Sequence, residues 1–169
     1  MPDMPPALLT PEWIGMIDKG VSAIVASRDA ALRPSVMRAV GATIAPDGRE
    51  ITVFLARSQS RQLLQDLAAS GQIAVVFSSP TSHRTVQVKA GGVTGRPATA
   101  DDLPLLQRYL ASMEWELCTI GYKAELVHSM LAFRLDDLVA ISFQPETAFD
   151  QTPGPRAGAA LASAPAGTP

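Results

Sequence analysis

The feature that most constrains the fold is a pair of apolar runs, Pro34 to Ile44 and Ile51 to Ala56, separated by Pro46-Asp47-Gly48. Proline presets φ, aspartate bonds its own backbone, and glycine accepts positive φ, so this spacing predicts a tight turn and a β-hairpin. A hairpin with an apolar face needs further strands to bury it, and the chain supplies them. Ser22 to Ser27 and Ile73 to Phe77 are short apolar strands, the second continuous enough to be central in a sheet. Thr85 to Lys89 alternates, with Val86 and Val88 on one face and Thr85, Gln87 and Lys89 on the other. Leu131 to Leu135 and Val139 to Phe143 read as a last strand pair around Asp136-Asp137.

Helices are inserted between these strands. Thr10-Pro11-Glu12 is a helix start that buries Trp13, Ile14 and Ile17 and stops at Gly20. Leu63, Leu64, Leu67 and Ala68 form the stripe of a short helix ending at Gly71. Thr99 and Asp102 form a capping box ahead of Leu103, Leu106, Leu110 and Met113 at helical spacing. The order is that of an α+β fold, mostly antiparallel, with six or so strands and flanking helices, and not of an alternating βαβ sheet. No Gly-x-Gly-x-x-Gly fingerprint or Walker loop is present, which argues against a dinucleotide fold.

The 169 residues fit one domain over 1–150, followed by a Pro/Ala/Gly-rich tail over 151–169 expected to be flexible. With 47% hydrophobic residues, 18% charged residues and a net charge of −2, the chain has no electrostatic case for nucleic acid. Cys118 stands alone, so neither an internal disulfide nor a thiolate cluster is expected, and His83 and His128 lack metal-ligand spacing. The first residues carry no basic region or long apolar run, and no stretch approaches the roughly 20 apolar residues of a membrane span. A cytoplasmic location is expected. The apolar hairpin and the low charge predict an exposed patch of the kind that marks an interface.

Phe54 to Gln62 ends a strand, passes through a hydroxyl-rich turn with two arginines, and opens a helix. Ser58 and Ser60 offer hydroxyls, Arg57 and Arg61 offer charge-assisted bonds, and the helix start offers unpaired N–H groups, so the turn is suited to a phosphate. A solvated loop is the plain alternative. Arg38 falls in phase with Val36, Val40 and Ala42, where a buried guanidinium requires an anion. That anion is a ligand phosphate or a carboxylate, unless Arg38 reaches water at a frayed edge. Gln87 and Lys89 could donate to a ring cofactor or simply face solvent.

This order of elements resembles the FMN-binding split β-barrel family that includes pyridoxamine 5′-phosphate oxidase, over roughly Pro11 to Phe143. The resemblance implies FMN at a homodimer interface and an oxidoreductase that exchanges hydride or electrons with a small molecule. Met37-Arg38-Ala39-Val40 matches the family's first cofactor segment. Phe54-Leu55 matches the backbone beside the isoalloxazine ring, Ser60-Arg61-Gln62 the phosphate turn, and Gln87 with Lys89 the strand facing the flavin. Gln62 stands where many relatives carry lysine, Val40 and Gly41 replace polar contacts, and the oxidase's C-terminal substrate signature is absent, Arg156 lying in the tail. No catalytic acid or base is assigned. A non-catalytic flavin-binding or sensor protein remains open, as does the same fold with a deazaflavin, or with haem held by His83, His128 or Cys118.

Overall fold

A computed structural model describes residues 7–161. Helix α1 (Pro11–Lys19) begins at Pro11, as expected, and turns at Gly20 into β1 (Ser22–Arg28). The hairpin region forms β2 (Pro34–Arg38), β3 (Gly41–Ile44) and β4 (Ile51–Ala56). Its turn is closed by Gly48 N–H to Ala45 O at 2.8 Å, with the Asp47 carboxylate accepting Arg49 N–H at 3.0 Å. There follow α2 (Arg61–Ser70), β5 (Ile73–Ser78), β6 (Thr85–Ala90), β7 (Val93–Pro97), α3 (Leu103–Thr119), α4 (Ala124–Met130), β8 (Leu138–Phe143), β9 (Thr147–Asp150) and β10 (Ala159–Ala160).

The strands form two antiparallel sheets, one in the order β10-β9-β6-β5-β1-β2 and the other β3-β4-β8-β7. Two strands bend from the first sheet into the second. The first is the run from Pro34 to Ile44, expected as one strand, which breaks at Ala39-Val40. There Ala39 N–H still bonds Ala23 O, whereas Val40 N–H bonds Phe54 O, both at 2.9 Å. The second passes Gly91-Gly92 between β6 and β7. Pairing therefore runs round from β1 through β2/β3, β4, β8, β7/β6 and β5 back to β1, the arrangement of a split barrel.

The bend also slips the alternation by one residue. Ala39, Ala42 and Ile44 all belong to the central core, an odd step from 39 to 42. Arg38 thus shares a face with Val36 but not with Ala42. The expectation that it interrupts a buried apolar face is corrected: it is half-buried on the outer side of the first sheet.

Inside lie Val25, Val75, Phe77, Val86, Val88, Val53 and Leu55, with Leu63 and Leu67 of α2 in the same cluster. Helix α3 covers the outer face of the second sheet, where Leu106 packs with Val40, Phe54, Ala56, Leu138 and Ala140. Burial of Phe54 alone contributes roughly 2 kcal/mol. The approach is close enough that a Cβ on Gly41 would stand 2.5 Å from Leu106 Cδ2. The capping box is present, Thr99 N–H donating to Asp102 at 2.8 Å.

Two expectations at the C-terminal side differ. Leu131 to Leu135 is not a strand. Leu131 closes α4 and is buried in the core, and a 3-10 turn follows at Leu135–Asp137, because the acidic pair is taken by Arg134 and by Ser58 instead of by a hairpin. The ordered chain also extends past 150. Gln151 N–H bonds Thr85 O, β10 pairs with β9, and Leu161 N–H bonds Ala148 O while its side chain packs on the core. The rest of the tail, 162–169, lies outside the described residues. Among the described residues, no helix is long and apolar enough to cross a membrane.

Candidate functional site

The turn after β4 is organised by Asp137. Its backbone carbonyl accepts Arg57 N–H at 2.7 Å, and its carboxylate accepts Ser58 N–H at 3.0 Å together with the Ser58 hydroxyl. Ser58 is thereby committed. Ser60 is different: it is the N-cap residue of α2, only 2% exposed, and its Oγ has no hydrogen-bond partner. A buried hydroxyl without a partner is uncommon and costs free energy, which makes Ser60 the candidate donor of this turn. The first N–H groups of α2 have no carbonyl within their own helix and carry the positive end of its dipole. Arg57 and Arg61 are exposed beside them, and neither forms an ion pair among the described residues.

Gln62 turns away from this cluster. Its Nε2 donates to Asp66 Oδ1 at 2.9 Å within α2, and Asp66 Oδ2 accepts the Ser35 hydroxyl at 2.6 Å, so the Asp66 carboxylate ties α2 to β2 and the amide supports it. Hence the turn contains one buried open hydroxyl, two free guanidinium groups and a helix start. It does not contain a free Gln62 or Ser58.

The other expected residues sit elsewhere. Strand register places Arg38, Ile24, Val76, Gln87 and Phe149 in one row across the outer face of the first sheet. Val36, Ala26, Ala74, Lys89 and Thr147 form the next row. Gln87 and Arg38 are three strands apart, roughly 14 Å at ordinary strand spacing. Lys89 Nζ lies 5.3 Å from the centre of the Phe149 ring. This face mixes apolar residues with Arg38, Gln87, Lys89 and Thr147, and it is only partly covered, with Val36 56% exposed.

Ala39, Val40, Phe54 and Leu55 are buried. β4 is paired on both sides, Phe54 packs beneath Leu106 of α3, and Leu55 points into the central core. The side chain the sequence reading overlooked in this region is Asp137, expected only as part of a strand turn. Its signal was weak, because a distant acid meets Ser58 only through the tertiary fold.

The candidate haem ligands are scattered. His83 is exposed with φ 61°, His128 bonds Glu114 across α3 and α4, and Cys118 is exposed. Among the described residues no cluster of three metal-ligating side chains occurs.

Solved structures share this architecture. An F420 reductase superposes with a TM-score of 0.56 at 15% identity, covering 83% of this chain and 98% of its own. A Lactobacillus delbrueckii protein assigned as a pyridoxamine 5′-phosphate oxidase gives 0.54 at 15% identity, covering 83% and 93%. HupZ from Group A Streptococcus gives 0.52 at 17% identity, covering 89% and 99%. The chain shares the split-barrel fold of these proteins. No family model and no curated protein matches the sequence. The likeness is thus one of fold, and the chemistry of this split barrel has to be argued from its own residues.

Proposed function

We propose that this split barrel binds FMN, with the cofactor phosphate at the start of α2 and a second copy of the chain completing the site, and acts as an oxidoreductase on a small molecule. The observation that carries this reading is the buried, unpartnered Ser60 hydroxyl at a helix start flanked by Arg57 and Arg61. A phosphate supplies the acceptors that Ser60 and the α2 N–H groups lack, and the two guanidinium groups offset its charge. When bound, FMN supplies hydride or single-electron transfer. The protein's part is to hold and orient it.

The outer face of the first sheet supports the rest. Its rows of apolar residues, broken by Arg38, Gln87, Lys89 and Thr147, suit a flat ring that makes a few polar contacts, and Val36 at their edge suits coverage by a second protomer. Lys89 beside the ring would favour its anionic reduced form.

A deazaflavin cofactor is the second reading, favoured by the similarity in fold to an F420 reductase and by the engagement of Gln62 with Asp66, which leaves the turn one donor short of the family pattern. Haem has less support, since none of His83, His128 or Cys118 lies in the turn or in either outer-face row.

The test is the visible spectrum of purified protein before and after incubation with FMN and desalting. Retained bands near roughly 370 and 450 nm are expected of bound flavin, lost in Ser60→Val and weakened at least tenfold in Arg61→Ala. Protein that stays colourless with FMN but retains a deazaflavin overturns the first reading in favour of the second.

A further inference from the structure

We propose that a cavity of about 300 Å³ between Arg38 and the α3–α4 hairpin binds a small amphiphilic carboxylic acid, the apolar body against the helices and the carboxylate on Arg38. This site is separate from the α2 turn and rests on no cofactor. Its wall is apolar: Met113 and Leu117 come from α3, Leu126 and Met130 from α4. Ile120 and Tyr122 stand at its rim, both about half exposed, on either side of Gly121, whose φ of 101° few other residues adopt. The volume is at the small end of ligand pockets, and two methionines let the wall adapt to an alkyl or aryl body.

Among the described residues, Arg38 is the only charged one lining the cavity. Its Nη1 donates to Ser22 Oγ at 3.0 Å, and it makes no other hydrogen bond or ion pair among the described residues. The buried acid on α3 in this region, Glu116, is committed to Lys19, Ser79 and Thr81. The Nε and Nη2 edge of Arg38 therefore remains open, and that edge matches the two oxygens of a carboxylate. A phosphate dianion is the poorer occupant, because one cation and one hydroxyl in an apolar wall would leave much of its charge uncompensated. A neutral lipid or alcohol would leave the arginine unused.

The experiment is calorimetric titration of the full chain with octanoate, and with 1-octanol as the uncharged control. Wild type is expected to bind octanoate at least tenfold more tightly than 1-octanol. Arg38→Gln, which keeps most of the stem, should remove that preference while changing octanol affinity less than twofold, and Arg38→Lys should restore part of it. Leu126→Asp, at an exposed position, should weaken both ligands. No octanoate binding, equal affinity for the two probes, or an unchanged preference in Arg38→Gln overturns the proposal. So does displacement of octanoate by FMN together with loss of FMN retention in Arg38→Gln, which would place Arg38 in the cofactor site. Failure of the flavin reading is seen separately, in Ser60→Val.

Discussion

Two buried polar groups, Glu116 on α3 and Ser60 at the start of α2, show opposite uses of the same physical cost. Glu116 is 1% exposed and fully satisfied: Lys19 Nζ lies at 2.9 Å, Thr81 N–H at 2.9 Å, and the Ser79 hydroxyl reaches both carboxylate oxygens. Lys19 is further held 4.3 Å above the Trp115 ring. That cluster ties α3 to α1 and to the loop after β5, and it leaves nothing for a ligand. Ser60 is as deeply buried, but its hydroxyl is paired with nothing. A satisfied buried group anchors the fold, whereas an unsatisfied one carries a cost that only a partner from outside removes.

The sharpest way to break this contrast is Glu116→Ala. It should cost about 3 kcal/mol in urea unfolding, since Ser79 and Thr81 lose their acceptor inside the protein. A loss under 1 kcal/mol would mean that water replaces the carboxylate. Ser79→Ala removes one member of the cluster and should cost about 1 kcal/mol by the same measurement.

Ser60→Ala should behave in the opposite sense. Without ligand the variant should equal the wild type in thermal stability or exceed it by up to about 1 kcal/mol, because it deletes an unpaired hydroxyl that makes no cap bond. It should nevertheless lose phosphate-dependent FMN binding. A clear destabilisation of the unliganded protein would assign Ser60 a structural role and remove the comparison.

Lys19→Met is expected to have the smallest effect, under about 1 kcal/mol, because Lys19 is half exposed.

Glu116 also predicts a pH dependence. Burial pushes its carboxyl up, but the hydrogen bonds from Lys19 and Thr81 outweigh burial and hold it below the ordinary range near 4.5. The folded state thus binds this proton less readily than the unfolded chain. The resulting stability is fully present above pH 4.5 and is lost as pH falls through the lower folded value. Glu116→Gln should flatten that acid limb of the stability profile, and an unchanged limb would place the titration in other carboxylates, such as Asp102, held down by Arg96.

Local signals were legible wherever a few neighbouring residues decide the backbone. Pro46-Asp47-Gly48 made its turn, Val86 and Val88 went inside while Gln87 and Lys89 went outside, and Thr99 and Asp102 formed their capping box on the 3-10 turn Ala100–Asp102 that leads into α3. The strand break at Ala39-Val40 was not legible, because two β-branched or small residues in an apolar run say nothing about which sheet offers the next acceptor. Leu131 to Leu135 misled for a related reason. A short apolar run is equally compatible with a buried helix end, and only the core around Val127 and Leu131 decided between the two. The candidate site divided in the same way: the turn at Ser60 and Arg61 was readable as a strand-to-helix junction, but the isolation of the Ser60 hydroxyl was not.

Periodicity and turn chemistry in this sequence determined β1, the hairpin strands, β5, β6, β8, three of the helices and the antiparallel class, whereas β7, β9, β10 and α4 carried no readable signal. Tertiary structure alone decided that Asp137 would take Ser58, that Asp66 would take Gln62, and that Arg38 would face a helical cavity. Each of those outcomes depends on which distant acceptor lies within about 3 Å of a donor, and spacing along a chain contains no such distance.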